Sequence, residues 1–352
     1  MPHLQKGVAL HFFYHEAFSF LSYFSVANQI ASDKSSLDKC TRRGLVMKKI
    51  AIGLPVYNGA RYLAAAIDSI LAQSYGDFDL LISDNASTDG TEEICRNYAQ
   101  RDPRIRYIRQ SQNVGAAANH NLLVPMTDSP YFKWAAHDDL LAPGFLAACV
   151  EVLDRDSTVV LASPASDLID EAGLPLPYSA EHGGILDHAG VCWPVMPEKN
   201  DGLMASDPTV RFEAVMHKMF MCVEIFGLMR RSALLQTSLQ GPFSGADKVV
   251  LAQMSLLGRF WLGQETLFFR RCHAQQFSAS ASGAYRAMWF SGRRDSIFSQ
   301  QIKLLVAYCR TLNIPELTVR QRYACFNAIA RRALSRGHQW RRLTGAVVER
   351  IS

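Results

Sequence analysis

The sequence predicts an α/β fold, in which an open, mostly parallel sheet is flanked by helices and followed by a helical C-terminal region. Two observations support this. Short apolar runs alternate with segments of helical periodicity from residue 50 to residue 153, the pattern of a parallel sheet with crossover helices. Acidic loops, Asp84–Gly90 and His137–Asp139, each follow an apolar run. In such a sheet, ligands bind where strands end.

Each element follows from its local pattern. Apolar runs bounded by turn residues mark four strands: Ile50–Val56, Asp79–Ser83, Ile105–Ile108 and Tyr131–Ala136. Segments with apolar residues every three or four positions mark the helices: Arg61–Gln73, Thr91–Ala99, Gly115–Leu123 and Gly144–Leu153. Asp89 or Thr91 is the candidate N-cap of the second helix, and Pro143 suits the first turn of the fourth.

Length and composition agree with an ordinary soluble enzyme. Hydrophobic residues make up 49% of the 352 residues and charged residues 20%, which excludes a disordered chain. No uncharged apolar run reaches the roughly 18 residues of a membrane span. The eight cysteines include no Cys-x-x-Cys pair, which argues against a zinc site and a disulfide framework. We therefore expect reduced thiols and a cytoplasmic protein.

The two ends of the chain differ from the middle. Residues 1–46 are rich in aromatic side chains and fit three interpretations: a membrane-surface helix, an extra packing element, or an extension upstream of a natural start at Met47. We favour the last, because the α/β pattern begins at Lys48. Residues 291–352 carry twelve Lys/Arg and three Asp/Glu, a balance of +9, whereas the whole chain is +5.

The basic C-terminal region has two interpretations. The simpler one is the solvated faces of terminal helices, which we place slightly ahead. The other is attraction to anionic lipid or to a phosphate-bearing acceptor, giving peripheral contact with the inner face of the membrane. No nucleic-acid-binding motif accompanies the charge, so we expect no nucleic acid partner.

Several motifs occur in a fixed order along the first half of the chain: Leu54–Gly59, Ser83–Thr91, Gln112–Gly115 with Asn119, and Ala136–Asp139. In this order and at these separations they resemble the family 2 glycosyltransferases, enzymes of GT-A fold that use nucleotide sugars. The second half is similar in a less specific way: residues 225–231 resemble a strand that re-enters the sheet, 245–247 the loop of the catalytic base, and 270–273 a late strand near the diphosphate.

The resemblance implies a domain organisation and a reaction. Residues 48–275 would form the GT-A domain, with 48–165 as the nucleotide-binding half and 166–275 as the acceptor half, before a basic helical region at 276–352. The enzyme would transfer a single sugar, with inversion, from a nucleoside-diphosphate sugar to a saccharide, lipid-linked or other hydroxyl acceptor. Such hexosyl or related transfer serves polysaccharide or glycoconjugate biosynthesis. The Gln-x-x-Arg-Trp signature of processive synthases is absent.

The resemblance also assigns the donor side of the site. Asp139 would ligate Mg²⁺ or Mn²⁺, because a leaving diphosphate needs a cation on its oxygens, and Asp138 would lie nearer the sugar or ribose. His273 is a candidate for the metal or diphosphate. Each has a structural alternative: helix capping for the two aspartates, and an ordinary structural hydrogen bond for the histidine. His137 stands where the family often has the first acid of Asp-x-Asp, and a structural role for it is at least as well supported.

On the nucleotide side, the resemblance implies that Pro55 and Tyr57 line the base pocket. Asp84 would accept from a uracil-type imide or the ribose, and Asn113 would touch the nucleotide. For Asn58 and Asp89 turn chemistry is the preferred interpretation, since Asn-Gly and Asp-Gly are ordinary turn pairs. For Gly115 and Asn119 the same two interpretations are open, a role in the turn or contact with the ligand.

On the acceptor side, Asp247 is the candidate general base, since an inverting transfer needs a base on the acceptor hydroxyl. The alternative is that it only caps its helix. The residue before it is Ala246, so the family's usual acidic pair is absent. A catalytically inactive nucleotide-sugar-binding protein remains open. A sugar-phosphate nucleotidyltransferase is less favoured, because residues 55–61 are not a glycine-rich basic loop.

Overall fold

The computed structural model describes residues 48–187, 190, 192–194, 202–219, 221–273, 297–314 and 316–335. A boundary between Met47 and Lys48 divides the chain into two units, and every described residue belongs to the second. The proposed extension at 1–46 therefore lies outside the described residues. Within the described part, no helix is both long enough and apolar enough to cross a membrane.

The strands form a large sheet and a small one. They are β1 Ile50–Val56, β2 Phe78–Asp84, β3 Ile105–Arg109, β4 Tyr131–Trp134, β5 Leu140–Leu141, β6 Val159–Ile169, β7 Tyr178–Ser179, β8 Gly184–Leu186, β9 Cys192–Pro194, β10 Leu228–Arg230 and β11 Arg259–Arg271. The large sheet has the order β3-β2-β1-β4-β10-β6-β11-β5, and β7, β8 and β9 form the antiparallel small one. Four of the seven neighbouring pairs in the large sheet are parallel, which confirms the predicted mostly parallel sheet.

Helices cover both faces of the large sheet. They are α1 Ala60–Leu71, α2 Thr91–Arg101, α3 Ala116–Leu123, α4 Phe145–Arg155, α5 Pro208–His217, α6 Arg231–Leu234, α7 Ala246–Leu257, α8 Ile297–Arg310 and α9 Val319–Ser335. Alternate strand residues face opposite layers. Ala51 packs in a core with α5, α7, α8 and α9, whereas Ile50 and Ile52 pack in a core with α1 and α4. The central strands are thus buried on both faces, as parallel strands usually are.

The cap or first-turn residue predicted at two helix starts differs from the one in the structure. The N-cap of α2 is Gly90, not Asp89 or Thr91. Asp89, the residue before this cap, still accepts a hydrogen bond from the Thr91 N–H at 3.0 Å. Helix α4 begins at Phe145, so Pro143 lies just outside its first turn, where its carbonyl accepts from the Ser74 N–H. The bond at Asp89 is local, whereas the bond at Pro143 joins two segments that are far apart in the sequence.

Candidate active site

The loops that follow β1, β2 and β4 lie side by side at one edge of the sheet. The parallel register pairs Val56 at the end of β1 with Asp84 at the end of β2, and Gly53 of β1 with Trp134 at the end of β4. The two acidic loops and the Tyr57–Gly59 turn therefore leave the sheet at the same edge, as the sequence predicted.

Hydrogen bonds fasten the first loop to the second. The Asn58 N–H donates to Ser87 Oγ at 2.9 Å, and the Thr88 N–H returns to Asn58 Oδ1 at 2.8 Å. The Asp89 carboxylate accepts from the Ala60 N–H at 3.1 Å. Asn58 has a left-handed backbone, with φ of 51°. Both Asn58 and Asp89 thus use their side chains within the loops, in line with the turn interpretation.

The Asp84 carboxylate is fully buried beneath these loops. It accepts from the Ser87 N–H and from Tyr107 Oη, both at 2.8 Å. Burial and the bond to Asp84 raise the pKa of Tyr107, so the phenol stays protonated and remains a donor. Pro55 is buried within β1, whereas 43% of Tyr57 is exposed. Of these three predicted base-pocket residues, Tyr57 is the one that presents a surface to a ligand.

Asparagine side chains shape the loop that precedes α3. Asn113 Oδ1 accepts from Asn85 Nδ2 and from the Gly115 N–H, both at 2.9 Å. Gly115 has φ of 85°, a conformation that glycine adopts without the strain of a Cβ, and it is the N-cap of α3. Buried Asn119 accepts from Ser83 Oγ at 2.6 Å and donates to the Ser83 carbonyl at 2.9 Å. This helix is thereby bound to the end of β2.

The Asp138–Asp139 pair is held by the end of β11. Asp139 Oδ1 accepts from the Arg271 N–H at 2.9 Å, and no donor among the described residues reaches its second oxygen. Burial, followed by the neighbouring Asp138 charge, raises the pKa of Asp139 to about 7. Burial alone would also raise the pKa of Asp138, but His137 and the His273 hydrogen bond outweigh it and lower that pKa. Asp138 therefore ionises readily, whereas Asp139 ionises only at higher pH.

These aspartates do not cap a helix. The N-cap of α4 is Gly144, and no side chain makes a capping bond there. The capping alternative is therefore wrong for Asp138 and Asp139. Their side chains instead engage the residues that end β11.

Arg271 is a site residue to which the sequence analysis gave no role. Its side chain is buried, and its Nε donates to the Asp138 carbonyl at 2.9 Å. Its Nη1 donates to the carbonyls of Asp170 and Glu171, at 3.0 and 2.9 Å. The guanidinium also lies over the Tyr62 ring, 4.8 Å from its centroid. Arg271 thus ties the acidic loop to the turn after β6.

The two histidines have defined places. His273 Nε2 lies 3.0 Å from Asp138 Oδ2, its ring packs on Tyr62, and its buried Nδ1 has no partner among the described residues. The His137 ring lies against Gly59, where a Cβ would come within 2.6 Å of its Cδ2. No cluster of three or more His, Cys, Asp or Glu side chains suited to a metal occurs in the described ranges. A cation here would depend on few protein ligands.

A buried lysine lies beneath the acidic pair. Lys133, in the middle of β4, is fully buried, and its ammonium lies 4.3 Å from the Phe145 ring centroid and donates to the Phe226 carbonyl. Burial lowers the pKa of Lys133 to about 7. It lines a small cavity together with Asp139. The one signal in the sequence was a lysine inside an otherwise apolar central strand.

Asp247 lies in the first turn of α7. Gly245 is the N-cap, so the alternative in which Asp247 is the cap is wrong. Gln240 Nε2 donates to Asp247 Oδ1 at 2.7 Å. Burial raises the pKa of Asp247, and the Gln240 hydrogen bond partly opposes that rise. Gln240 is itself fixed by Asn121 of α3, whose amide accepts from its N–H at 2.9 Å and donates to its carbonyl at 2.8 Å.

The sheet and its flanking helices have the GT-A fold of glycosyltransferases. Among solved structures, the chain is similar to S. aureus TarS residues 1–349 in complex with UDP-GlcNAc, with a TM-score of 0.58 and 12% identity, covering 82% of this chain and 73% of that one. The same TarS fragment without that ligand gives 0.52, with 14% identity and coverage of 82% and 72%. At this identity the likeness shows the fold alone.

The model of glycosyl transferase family 2 matches residues 51–235, more than half of the chain, and the chain belongs to this family. An uncharacterized glycosyltransferase of Rickettsia felis is 33% identical over 132 residues, which is 37% of this chain and 21% of that protein. Glycosyltransferase GlyG of Streptococcus pneumoniae serotype 4 is 28% identical over 115 residues, 32% of this chain and 38% of GlyG. The chain thus spans well under half the length of these relatives. The predicted family and fold are confirmed; the roles of single residues remain predictions.

Proposed function

We propose that the chain is an inverting glycosyltransferase that moves one sugar from a nucleoside-diphosphate sugar to a hydroxyl group of a saccharide, lipid-linked or other acceptor. The observation that carries this proposal is the Asp138–Asp139 pair at the carboxyl edge of the sheet. One oxygen of Asp139 accepts from the Arg271 N–H, and its other oxygen would be the ligand offered to a cation. The neighbouring TarS structure contains UDP-GlcNAc, which supports a nucleotide sugar as the donor.

The residues present fit Mg²⁺ or Mn²⁺ as the cofactor. Asp139 offers a hard oxygen ligand, the type that both cations prefer, and phosphate oxygens would complete the coordination. The unpartnered His273 Nδ1 is a nitrogen that a metal or a diphosphate oxygen could use. When bound, the cation would supply charge neutralisation on the leaving diphosphate. Arg271 and His273 would hold the two carboxylates in place for it.

Asp247 is our candidate for the general base. A carboxylate with a raised pKa is a stronger base toward a hydroxyl proton than an ordinary exposed one. Its position in the first turn of α7 favours the ionised form needed before the reaction. Gln240 orients one carboxylate oxygen and leaves the other to accept the proton.

The location proposed is the cytoplasm. Six cysteines whose side chains the structure describes are free thiols, which supports a reducing compartment. We place the nucleotide-binding half at 48–165 and the acceptor half at 166–275.

The decisive test replaces the proposed metal ligand, Asp139, and the proposed base, Asp247, in separate variants. Asp139→Ala should abolish the gain in UDP affinity that Mn²⁺ produces in calorimetry. Glu93→Ala, an exposed α2 variant, serves as the control and should keep it. A folded Asp139→Ala protein with unchanged metal-dependent binding would refute the assignment.

Asp247→Asn keeps the side-chain shape and should lower transfer by a factor of about 10² to 10⁴ while donor binding persists. Normal turnover would move the base elsewhere, with Glu224 or Asp201 next to test. Donor binding without transfer in the unmodified protein, for every donor and acceptor tried, would instead favour a catalytically inactive nucleotide-sugar-binding protein.

A further inference from the structure

Exposed apolar side chains are concentrated on the last two helices. Fourteen large apolar residues are exposed in the described part of the chain, and seven of them lie on α8 or α9. These seven are Ile302, Leu305 and Val306 on α8, and Val319, Tyr323, Phe326 and Leu334 on α9. Scattered exposed apolar residues are normal on a protein surface, whereas a concentrated set marks an interaction surface.

The α9 residues form one stripe. Val319, Tyr323, Phe326 and Leu334 are separated by four, three and eight positions, which places them on one side of a helix. Their exposed fractions are 83%, 67%, 51% and 79%. The opposite side, with Cys325, Ala328 and Ile329, is buried in the core. We call the four exposed residues the α9 stripe.

The charge on the two helices has a single sign. Neither α8 nor α9 contains an acidic residue, and together they carry six basic ones: Lys303, Arg310, Arg320, Arg322, Arg331 and Arg332. Arg322 and Arg332 donate to backbone carbonyls and so fix the helices in the fold. Arg320 and Arg331 are exposed beside the α9 stripe. Arg331 meets Glu213 at 2.9 Å, an exposed pair that contributes little free energy.

We propose that the α9 stripe docks on an anionic lipid surface, with Tyr323 and Phe326 entering the headgroup region and Arg320 and Arg331 meeting lipid phosphates. An amphipathic helix with aromatic residues on one face and arginines beside it binds a bilayer in this way. The 17 residues of α9 extend about 25 Å, which suits a helix lying in the surface. Pairing with a second copy would bring two basic faces together, which like-charge repulsion opposes.

The inference rests on the proposed function in one respect: a bilayer is where a lipid-linked acceptor would be presented to Asp247. The lipid contact itself is measured without donor or acceptor, so its failure and the failure of glycosyl transfer can be told apart. If the enzyme bound the membrane but transferred sugar only to soluble acceptors, the lipid contact would still be supported, but it would not serve to reach a lipid-linked acceptor.

The test is co-sedimentation of the full chain with phosphatidylcholine vesicles, with and without phosphatidylglycerol. We expect binding to the anionic vesicles only, and Tyr323→Ser with Phe326→Ser should weaken it by about tenfold or more. Arg320→Ser should weaken it by about fivefold. Tyr178→Ser is the matched control, because Tyr178 is 60% exposed but lies on the small sheet, and it should bind as the unmodified chain does.

Three outcomes would overturn the inference. The first is no binding to anionic vesicles, and the second is equal weakening by Tyr178→Ser. The third is a dimer in light scattering that Tyr323→Ser alone dissociates, without any vesicle binding, since the α9 stripe would then be a protein interface. Because Tyr323 is exposed, its single variant should fold normally, and circular dichroism checks this.

Discussion

Replacing Asp139 by asparagine should stabilise the metal-free protein at alkaline pH. Burial and the Asp138 charge raise the pKa of Asp139 from its ordinary value to about 7, so ionising this carboxyl opposes folding. The cost is absent below the unfolded-state pKa of about 4 and complete above about pH 7. The asparagine amide would carry no charge and would keep an oxygen for the Arg271 N–H.

The size of the effect follows from the pKa. A change of about three pKa units corresponds to about 4 kcal/mol. This is an upper bound, because solvent reaches part of the side chain and Asp138 titrates together with it. We therefore expect about 2 kcal/mol at about pH 8 and about a third of that at about pH 5. In a chain of this size that free energy shifts the unfolding temperature by several degrees.

The assay is urea unfolding at both pH values with EDTA present, for the unmodified chain, Asp139→Asn and the control Glu93→Gln. The stabilisation by Asp139→Asn should grow with pH, whereas Glu93→Gln, on the exposed side of α2, should show no such trend. The argument would be refuted if the stability difference between Asp139→Asn and the unmodified chain were the same at both pH values. It would also be refuted if Asp139→Asn were less stable than the unmodified chain at the higher pH.

Three further predictions concern positioning and domain limits. Gln240→Leu removes the hydrogen bond that opposes the raised pKa of Asp247, so the acid limb of the pH–rate profile for kcat/KM should move to higher pH; an unmoved limb would contradict this. Arg271→Lys cannot reproduce the bonds that hold the Asp138 loop, so metal-dependent UDP affinity should fall by about tenfold in calorimetry, for a loss of about 1.4 kcal/mol. A chain that begins at Met47 should stay monodisperse in gel filtration with unchanged UDP affinity; aggregation would show that residues 1–46 belong to the fold.

Much of the first half of the fold could be predicted from the sequence, because its elements have strong local signals. The buried strands are mostly apolar runs, and the helices have apolar residues at regular spacing, so their positions agreed within a few residues. Helix starts were harder, as at Pro143, whose carbonyl accepts from the N–H of the distant Ser74. The short β5 depends on pairing with the distant β11, which no local pattern reports. The short β10 lies within residues 225–231, where the family resemblance implied a strand that re-enters the sheet.

The acidic loops of the candidate site could be predicted from the sequence, but the side chains that hold the site residues in place could not. Asp138 and Asp139 follow a recognisable strand, so their position at the sheet edge was readable. Arg271 and Gln240 act through contacts more than a hundred residues away along the chain, to Asp138 and Asn121 respectively. Contacts between residues so far apart along the chain leave no local sequence pattern, so a single sequence does not reveal them.

The reciprocal pair between Asn121 and Gln240 has a consequence for recombining family members. The Asn121 side chain bonds to both backbone groups of Gln240, as a neighbouring β-strand would. It therefore joins α3, in the proposed nucleotide-binding half, to the residue that bonds to Asp247. A chimera that takes its acceptor half from another glycosyltransferase would separate these partners. If the proposed roles hold, it would bind nucleotide sugars normally but leave residue 247, the proposed base, poorly oriented, unless the residue at position 121 were exchanged together with the acceptor half.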